Sequence, residues 1–452
     1  MTIDLPLASP EPQRSVAVVG AGLVGCLAAC FLARRGYRVT VYERRADPRV
    51  TAVERGRSIN LALSERGIDA LQRLGLAGQV LAPALPMHGR MLHGLDGAQA
   101  FRPYSADGRQ HISSISRAAL NATLLDAAEK SPDVCLLFGH RFTTLDVATA
   151  ELTFETADGV VVTAPGLIVG ADGAGSAVRR ALMAAGALTA EEDWLPYGYK
   201  ELTIPPRDGA FALNPDALHI WPRGGSMMIA LPNPDRSFTC TLFWPLRGEG
   251  SFADISTAEA ARAHFERHYP DFPPLSPDYV QDYMHNPVGT LGTLHTAPWQ
   301  HGGRFMLIGD AAHAILPFFG QGANAGFEDC VALDRALEHS GDDLSAALAL
   351  YEAERRENAE AIARMAAQNF TEMRDKVNSR VFHLATRGEH LLGRLLPWRY
   401  RTRYEFVSFT TVPYADVVRQ VTRQRRVVAV VVAVAALAAA SAGALAFAWR
   451  SR

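Results

Sequence analysis

The sequence predicts an α/β protein in which a parallel, doubly wound sheet is interrupted by an antiparallel sheet and followed by helices. Three observations carry this. A strand, a GxGxxG turn and a helix open the chain, and a Gly-Asp turn with a glycine-rich helix start stands nearly three hundred residues later, in IGDAAHAILPFFGQGANAGFE at 308–328. Between them the texture changes to short apolar strands broken by prolines.

Residues 14–19 form the first strand, Gly20, Gly22 and Gly25 the fingerprint, and 23–35 an alanine- and leucine-rich helix stopped by Gly36. A second strand, 38–42, leads to Glu43, which completes a Rossmann-like order. Gly20 permits the turn, Gly22 lets a pyrophosphate approach the helix N-terminus, and Gly25 lets helix and strand pack closely. Glu43 can accept hydrogen bonds from ribose hydroxyls. An adenine dinucleotide is the expected ligand.

Further along, 114–130 reads as a strand end and an amphipathic helix with Arg117 at its start. GLIVGADGAGSAVRR at 166–180 repeats the strand, turn and helix pattern, with Asp172 between Gly170 and Gly173. No strand with a ribose acid follows at the usual distance, so this turn is expected to close over the ligand of the first fingerprint. From 194 to 288, LHIWPR, SMMIALPNP and SFTCTLFWP alternate large apolar residues, which predicts an antiparallel sheet roofing the site. After Phe327 the chain is expected to be helical, with 344–377 a long amphipathic stretch. The expected organisation is a discontinuous nucleotide-binding domain (14–80, 108–190, 295–345), an inserted substrate sheet (81–107, 194–294) and a helical region (346–424).

The turn at Gly309-Asp310 narrows the ligand. Asp310 at a strand end can bond a ribityl hydroxyl, while 320–324 can aim helix N–H groups at an electron-rich ring edge. A reduced flavin needs this, because negative charge develops at its N1–C2 carbonyl region. His313, among alanines, reads as structural.

A formal charge of −2 with mixed signs gives no reason to expect nucleic acid. Cys26, Cys30, Cys135, Cys240 and Cys330 read as buried thiols of a reducing compartment, and no metal site is expected. Residues 1–13 lack the apolar core of a cleaved signal. The exception is 427–449, a run of 23 residues without a charge, preceded by Arg419, Arg423, Arg425 and Arg426. At about 1.5 Å per residue it would span roughly 34 Å, enough for a ~30 Å hydrocarbon layer. A membrane anchor is expected there, with the catalytic part held on the cytoplasmic side by the arginines.

Together with RGRSINLALSERG (55–67), PMHGRMLHGLDG (86–97), SISRAALN (114–121), ELTIPP (201–206), LHIWPR (218–223), SFTCTLF (237–243) and NFTEMRDKVNS (369–379), the chain resembles the single-component FAD-dependent aromatic-ring monooxygenases over nearly its whole length. The resemblance implies FAD as cofactor, with NADPH and O2 as co-substrates and a flavin C4a-hydroperoxide as the oxygen donor, so no catalytic side chain or metal is expected. It implies FAD contacts from Gly20, Gly22, Val24, Gly25, Tyr42, Glu43, Arg44, Arg45, Ala62, Arg117, Asp310, Ala323 and Asn324. Ala323 departs from the family, which usually has methionine there. A hydrophobic, membrane-binding C-terminus also occurs in the family.

For the substrate, the resemblance implies L-kynurenine, an intermediate of tryptophan degradation and NAD biosynthesis, with its carboxylate on Arg90, Tyr104, Asn369 and Tyr404. The chemistry is sensible by itself, since Arg90 can pair bidentately with a carboxylate and the others can complete the acceptor shell. Asn369 also interrupts an apolar helical stripe of Ile362, Met365, Ala366 and Met373, so it needs a partner, either a ligand or core backbone. Tyr404, in an arginine- and aromatic-rich stretch, reads from its neighbours as a surface or interface residue. Two alternatives stand beside this reading: a ring hydroxylase of a prenylated quinone precursor, which has no use for an arginine clamp, and a membrane-tethered flavoprotein that does not hydroxylate.

Overall fold

The computed structural model describes residues 14–50, 60–105, 107–341, 343–372 and 400–450; in the last segment the side chains of 432, 435–440 and 442–450 are outside the described set. Among the described residues, four sheets organise the fold. The largest parallel one has six strands in the order Gln300–His301, Phe305–Leu307, Leu167–Gly170, Ser15–Val19, Arg38–Glu43 and Val134–Phe138. Only the first pair is antiparallel. The helices Leu23–Arg34, Arg117–Glu129 and Gly322–Ser340 bury apolar residues against this sheet, and Leu27, Ala28, Phe154 and Ile168 are fully enclosed.

Seven strands form the second layer, ordered Gly289–Ala297, Thr189–Ile204, Phe238–Pro245, Met227–Pro232, Ala217–Pro222, Gly89–His93 and Gln99–Pro103. All neighbours are antiparallel except Ala217–Pro222 with Gly89–His93. One face of this sheet, through Ile220, Met227 and Phe243, shares a core with Leu316, Phe318 and Met365. The other, through Trp221, Cys240 and Trp244, packs on Phe265 and Tyr283 of two helices, Ala258–His268 and Tyr279–His285. These helices correct the expectation of strands throughout 194–288. Thr257 caps the first of them by accepting from Ala260 N, a local signal inside a segment whose proline-broken texture reads as sheet. Strand Thr189–Ile204 is also one long element of 16 residues, with a register shift between Trp194 and Gly198.

Two small antiparallel sheets complete the fold, Arg141–Asp146 with Glu151–Thr156 and Gly159–Thr163, and Asn60–Leu63 with Ile112–Ser116 and Leu85–Met87. The long helix is Leu344–Thr371; the expected stretch beyond Glu372 falls outside the described residues, as do Met373 and most of the 369–379 motif. Residues 55–59 of the 55–67 motif lie outside them as well. Arg403–Phe409 and Tyr414–Arg450 are helical, the first with a capping box between Thr402 and Glu405. Among the described residues no helix is long and apolar enough to cross a membrane, and most side chains of 427–449 are outside that set. The cysteines are free thiols, but Cys135 is exposed rather than buried, because it stands on the edge strand of the parallel sheet.

Candidate functional site

At the fingerprint, the three glycines divide their tasks. A Cβ on Gly20, whose φ is +108°, would stand 2.6 Å from the Ala171 carbonyl oxygen, and one on Gly25 would stand 2.0 Å from that of Gly20. A Cβ on Gly22 would meet nothing within 4 Å. Two glycines therefore permit close packing, while the third leaves open space before a helix N-terminus that no side chain caps. Those free N–H groups suit a pyrophosphate.

Glu43 already accepts from Ala21 N at 3.0 Å and Arg45 N at 3.1 Å, so it braces the loop while keeping lone pairs for hydroxyls. Tyr42 turns the other way. Its ring stacks on Phe154 at 4.0 Å, and its carbonyl accepts from Gly20 N at 2.8 Å, so both ends serve the scaffold. Arg44 and Arg45 are exposed at the end of that strand. The Asp172 carboxylate caps its own helix, accepting from Ser176 Oγ and from Ala177 N at 2.6 Å, while the backbone of its turn lies against Gly20. The turn abuts the fingerprint through backbone, and its acid does not face the ligand.

Val24 shows how the distant segments meet. Its Cγ2 would lie 3.1 Å from a Cβ on Gly309 and 2.5 Å from one on Gly326, so this side chain fills the gap left by both glycines. At the turn itself, the Asp310 side chain can be reached by solvent yet is ringed by protein. Burial raises its carboxyl above the ordinary range, against the opposing pull of His313 and Arg117. Arg117, at the start of its helix behind the Ser116 cap, is exposed toward the same opening.

Gly320, with φ +63°, turns the chain into Gly322–Ser340, another helix whose N-terminus no side chain caps. Ala323 is half-buried in its first turn. The Asn324 side chain is engaged within the protein. Its Oδ1 accepts from Ser64 N at 3.0 Å, and its Nδ2 donates to Ala62 O at 2.9 Å and Gly320 O at 2.7 Å. The amide is occupied in fastening Asn60–Leu63 to the turn, and only backbone remains for a ligand. Two uncapped helix ends, an open space at Gly22 and an accessible acid between them fit an extended dinucleotide whose ring end lies near 320–324.

Beside that end stands Arg90. Its guanidinium lies 4.4 Å from the Tyr404 ring centroid and 5.6 Å from that of Tyr104, and the two tyrosine rings stack at 4.8 Å. Arg90 Nε and Tyr104 Oη are buried without a partner in hydrogen-bonding geometry, and Arg90 has no acidic partner among the described residues. Burial opposes the Arg90 charge, but the Tyr404 and Tyr104 hydroxyls outweigh it and hold the group protonated, while burial pushes the Tyr104 phenol well above its usual range. Tyr404 is half-buried in this cluster, not on the surface, and stacks on Phe319 at 6.1 Å. Asn369 Nδ2 donates to Phe318 O at 2.6 Å, so it reaches the pair through the Pro317–Phe319 turn, and its amide is engaged with core backbone. A half-buried guanidinium beside two phenols, without an acidic partner among the described residues, is a receptor for an anion.

Behind the Gly309 turn lies a charged network that sequence reading missed. Asp329 accepts from Gly309 N at 3.1 Å, from His313 Nε2 at 2.6 Å and from Arg355 Nε at 2.7 Å. Glu328 joins Arg355 at 2.9 Å to Arg66 at 2.6 Å, and Arg66 lies over the Tyr414 ring at 3.8 Å. Arg179 donates to Ala311 O at 3.0 Å, locking the same turn from the other side. The available signal was Asp329 itself, an acid on the apolar face of Phe327, Cys330 and Leu333, which can be buried only if paired.

The FAD binding domain family matches residues 13–366. The kynurenine 3-monooxygenase of Myxococcus xanthus (strain DK1622) is 46% identical over 409 residues, covering 90% of this chain and 88% of that protein. The kynurenine 3-monooxygenase of Stenotrophomonas maltophilia (strain K279a) is 46% identical over 416 residues, covering 91% of each. Among solved structures, 2-methyl-3-hydroxypyridine-5-carboxylic acid oxygenase is similar with a TM-score of 0.66 and 21% identity, over 81% of this chain and 93% of that one. PqsL of Pseudomonas aeruginosa, in complex with 2-aminobenzoylacetate, gives 0.63 and 23%, over 80% and 97%. At these identities the structural likeness concerns the fold.

Proposed function

This chain belongs to the kynurenine 3-monooxygenase family of FAD-binding-domain proteins, and from that premise we propose how its own residues serve the reaction. It is an FAD-dependent aromatic-ring monooxygenase that converts L-kynurenine to 3-hydroxy-L-kynurenine with NADPH and O2. Bound FAD supplies the redox chemistry, accepting hydride from NADPH and passing one oxygen atom of O2 to the ring while the other leaves as water. The ring carbon ortho to the substrate's amino group is the nucleophile, so the protein need not supply one. Its tasks are to bind, orient and keep water out.

The observation that carries the substrate assignment is Arg90, a half-buried guanidinium beside two tyrosines with no acidic partner among the described residues. We assign it the amino-acid carboxylate, with Tyr104 and Tyr404 donating their hydroxyls. Asn369 holds the Phe318 carbonyl and, through that turn, the wall beside Tyr404. A prenylated quinone precursor offers no anion for this cation. Incubating purified protein with L-kynurenine, NADPH and O2 should give a product heavier by one oxygen; NADPH consumption without that product would defeat the assignment.

We further propose that 427–449 anchors the protein in a membrane, with the arginines before it and the catalytic part on the cytoplasmic side. The support is a change of character along one helix. Tyr414, Ala415, Val417 and Val421 are buried against the core, whereas Val427, Val430, Val431 and Val434 are 56–62% exposed. Ending the chain after Arg426 should therefore move the protein from the sedimenting membrane fraction to the supernatant with its FAD retained. Full-length protein in the supernatant would rule the anchor out.

A further inference from the structure

Two sequence motifs reach beyond the substrate face. Strand Gly89–His93 carries Arg90 and lies parallel to Ala217–Pro222, with Leu218 opposite Arg90 and His219 opposite Met91. Side chains alternate across a sheet, so Arg90 points to the substrate face and His93, three residues on, to the rear. On its outer side this strand pairs with Gln99–Pro103, which is largely exposed. That edge strand has no further strand beside it among the described residues.

Side chains on the rear face supply what the edge lacks. His93 Nδ1 is 2.8 Å from Asp271 Oδ2, His93 Nε2 is 2.8 Å from His219 Nδ1, and His219 Nε2 is 2.8 Å from the Asn214 carbonyl. Trp221 Nε1 donates to both oxygens of Asp271, at 3.1 and 2.9 Å. Both histidines are 1% exposed. The protons follow from the ends of this chain. A carbonyl only accepts, so His219 Nε2 carries its hydrogen and Nδ1 must accept. His93 Nε2 then donates, and one further proton lies between His93 Nδ1 and Asp271. Each contact thus holds one proton, and Arg223 Nη1 adds a bond to the His93 carbonyl at 2.9 Å while its Nε donates to His268 O.

We propose that Asp271, His93 and His219 are positioning residues, a buried hydrogen-bonded chain that fixes the strand carrying Arg90 and so sets where the substrate's carboxylate is held. The proposal rests on the assignment of Arg90 above. A loosened strand displaces the guanidinium from Tyr104 and Tyr404 without touching the cofactor. Binding should therefore suffer and turnover at saturation should not.

The test is steady-state kinetics of the holoenzyme variants Asp271→Ala, Asp271→Asn and Arg90→Met. Asp271→Ala should raise KM for L-kynurenine about tenfold, in line with the cost of small displacements of a binding group, with kcat within about twofold and FAD content kept. Asp271→Asn should raise KM less than Asp271→Ala, because its amide can donate to His93 Nδ1 and its carbonyl can accept from Trp221 at the loss of one of the two Trp221 contacts. If Asp271→Ala leaves KM unchanged while Arg90→Met raises it, the proposal is overturned and the clamp stands. Should Arg90→Met leave KM unchanged, clamp and proposal fall together. An Asp271→Asn variant as impaired as Asp271→Ala would also overturn it, since the hydrogen-bonded chain would then not be what matters. If Asp271→Ala does not fold, His219→Leu, which cuts the chain at its other end, is read in the same way.

Discussion

Replacing Arg90 with methionine should raise KM for L-kynurenine by roughly 10- to 150-fold, the equivalent of losing a charged hydrogen bond of about 1.5–3 kcal/mol. Methionine preserves much of the side-chain stem and removes the charge. The effect should fall on KM and kcat/KM, with kcat little changed, because the carboxylate is held alike in ground and transition states. FAD content should be intact, since Arg90 stands on the seven-stranded sheet and none of the fingerprint or Gly-Asp elements depends on it. Tyr104→Phe keeps the stack on Tyr404 at 4.8 Å and deletes one donor, so its KM should rise only a few-fold, by about the 0.5–1.5 kcal/mol of a neutral hydrogen bond. Unaltered kynurenine kinetics in Arg90→Met would remove the anion receptor from the functional assignment.

The second large effect is expected at Asp329. Burial opposes its charge, but His313 and Arg355 win and hold the carboxyl down at about 2. Asp329→Ala strips His313 of the partner at its Nε2 and leaves Arg355 with Glu328 and the Ala325 carbonyl, both side chains lying in the protein interior. Breaking such a buried pair typically costs about 3–5 kcal/mol. It also frees Gly309 N, and with it the turn that presents Asp310. The variant should unfold at markedly lower urea and lose FAD on gel filtration, a signature opposite to that of Arg90→Met. An unchanged urea midpoint with full FAD occupancy would show that the network does not hold this turn.

The pH dependence follows with a definite sign. A carboxyl whose folded pKa is depressed contributes stability that is fully present above its unfolded value, near 3.8, and is lost as pH falls through the folded value of about 2. Wild type should therefore lose part of its stability across that acid window, and Asp329→Ala should show a shallower loss there.

Much of the cofactor end was legible in the sequence, because its signals are local. The Gly20, Gly22 and Gly25 spacing, the strand on either side and the Gly309-Asp310 turn each report a backbone requirement that neighbouring residues satisfy within one turn or strand. The texture of 194–288 was legible as sheet for Ala217–Pro222, Met227–Pro232 and Phe238–Pro245, but not for the two helices that cover its rear. The first carried a helical signal, with Ala261 and Phe265 one turn apart among alanines and charged residues, but it lies inside a proline-broken stretch, and the second is only 7 residues long. Side-chain roles were the least legible. Asn324 and Tyr42 belong to motifs that approach the cofactor, yet their polar and aromatic groups are taken up by Ala62, Ser64 and Phe154. A motif marks where the backbone goes and is silent about which partner a side chain finds.

By itself the sequence determined that a dinucleotide is bound by an N-terminal parallel sheet and that a distant turn returns to it, and it offered in Arg90 an arginine able to pair with a carboxylate. Only the tertiary structure decided that Val24 closes the gap between Gly309 and Gly326, that Arg90 lies beside a stacked pair of tyrosines, and that Asp329 bonds the Gly309 turn and Asp271 bonds His93. The physical reason is range. Turns, caps and alternation are settled over a few residues, whereas a buried charge is tolerable only beside partners supplied from far along the chain, as Asp271 is supplied to His93 and Arg355 to Asp329.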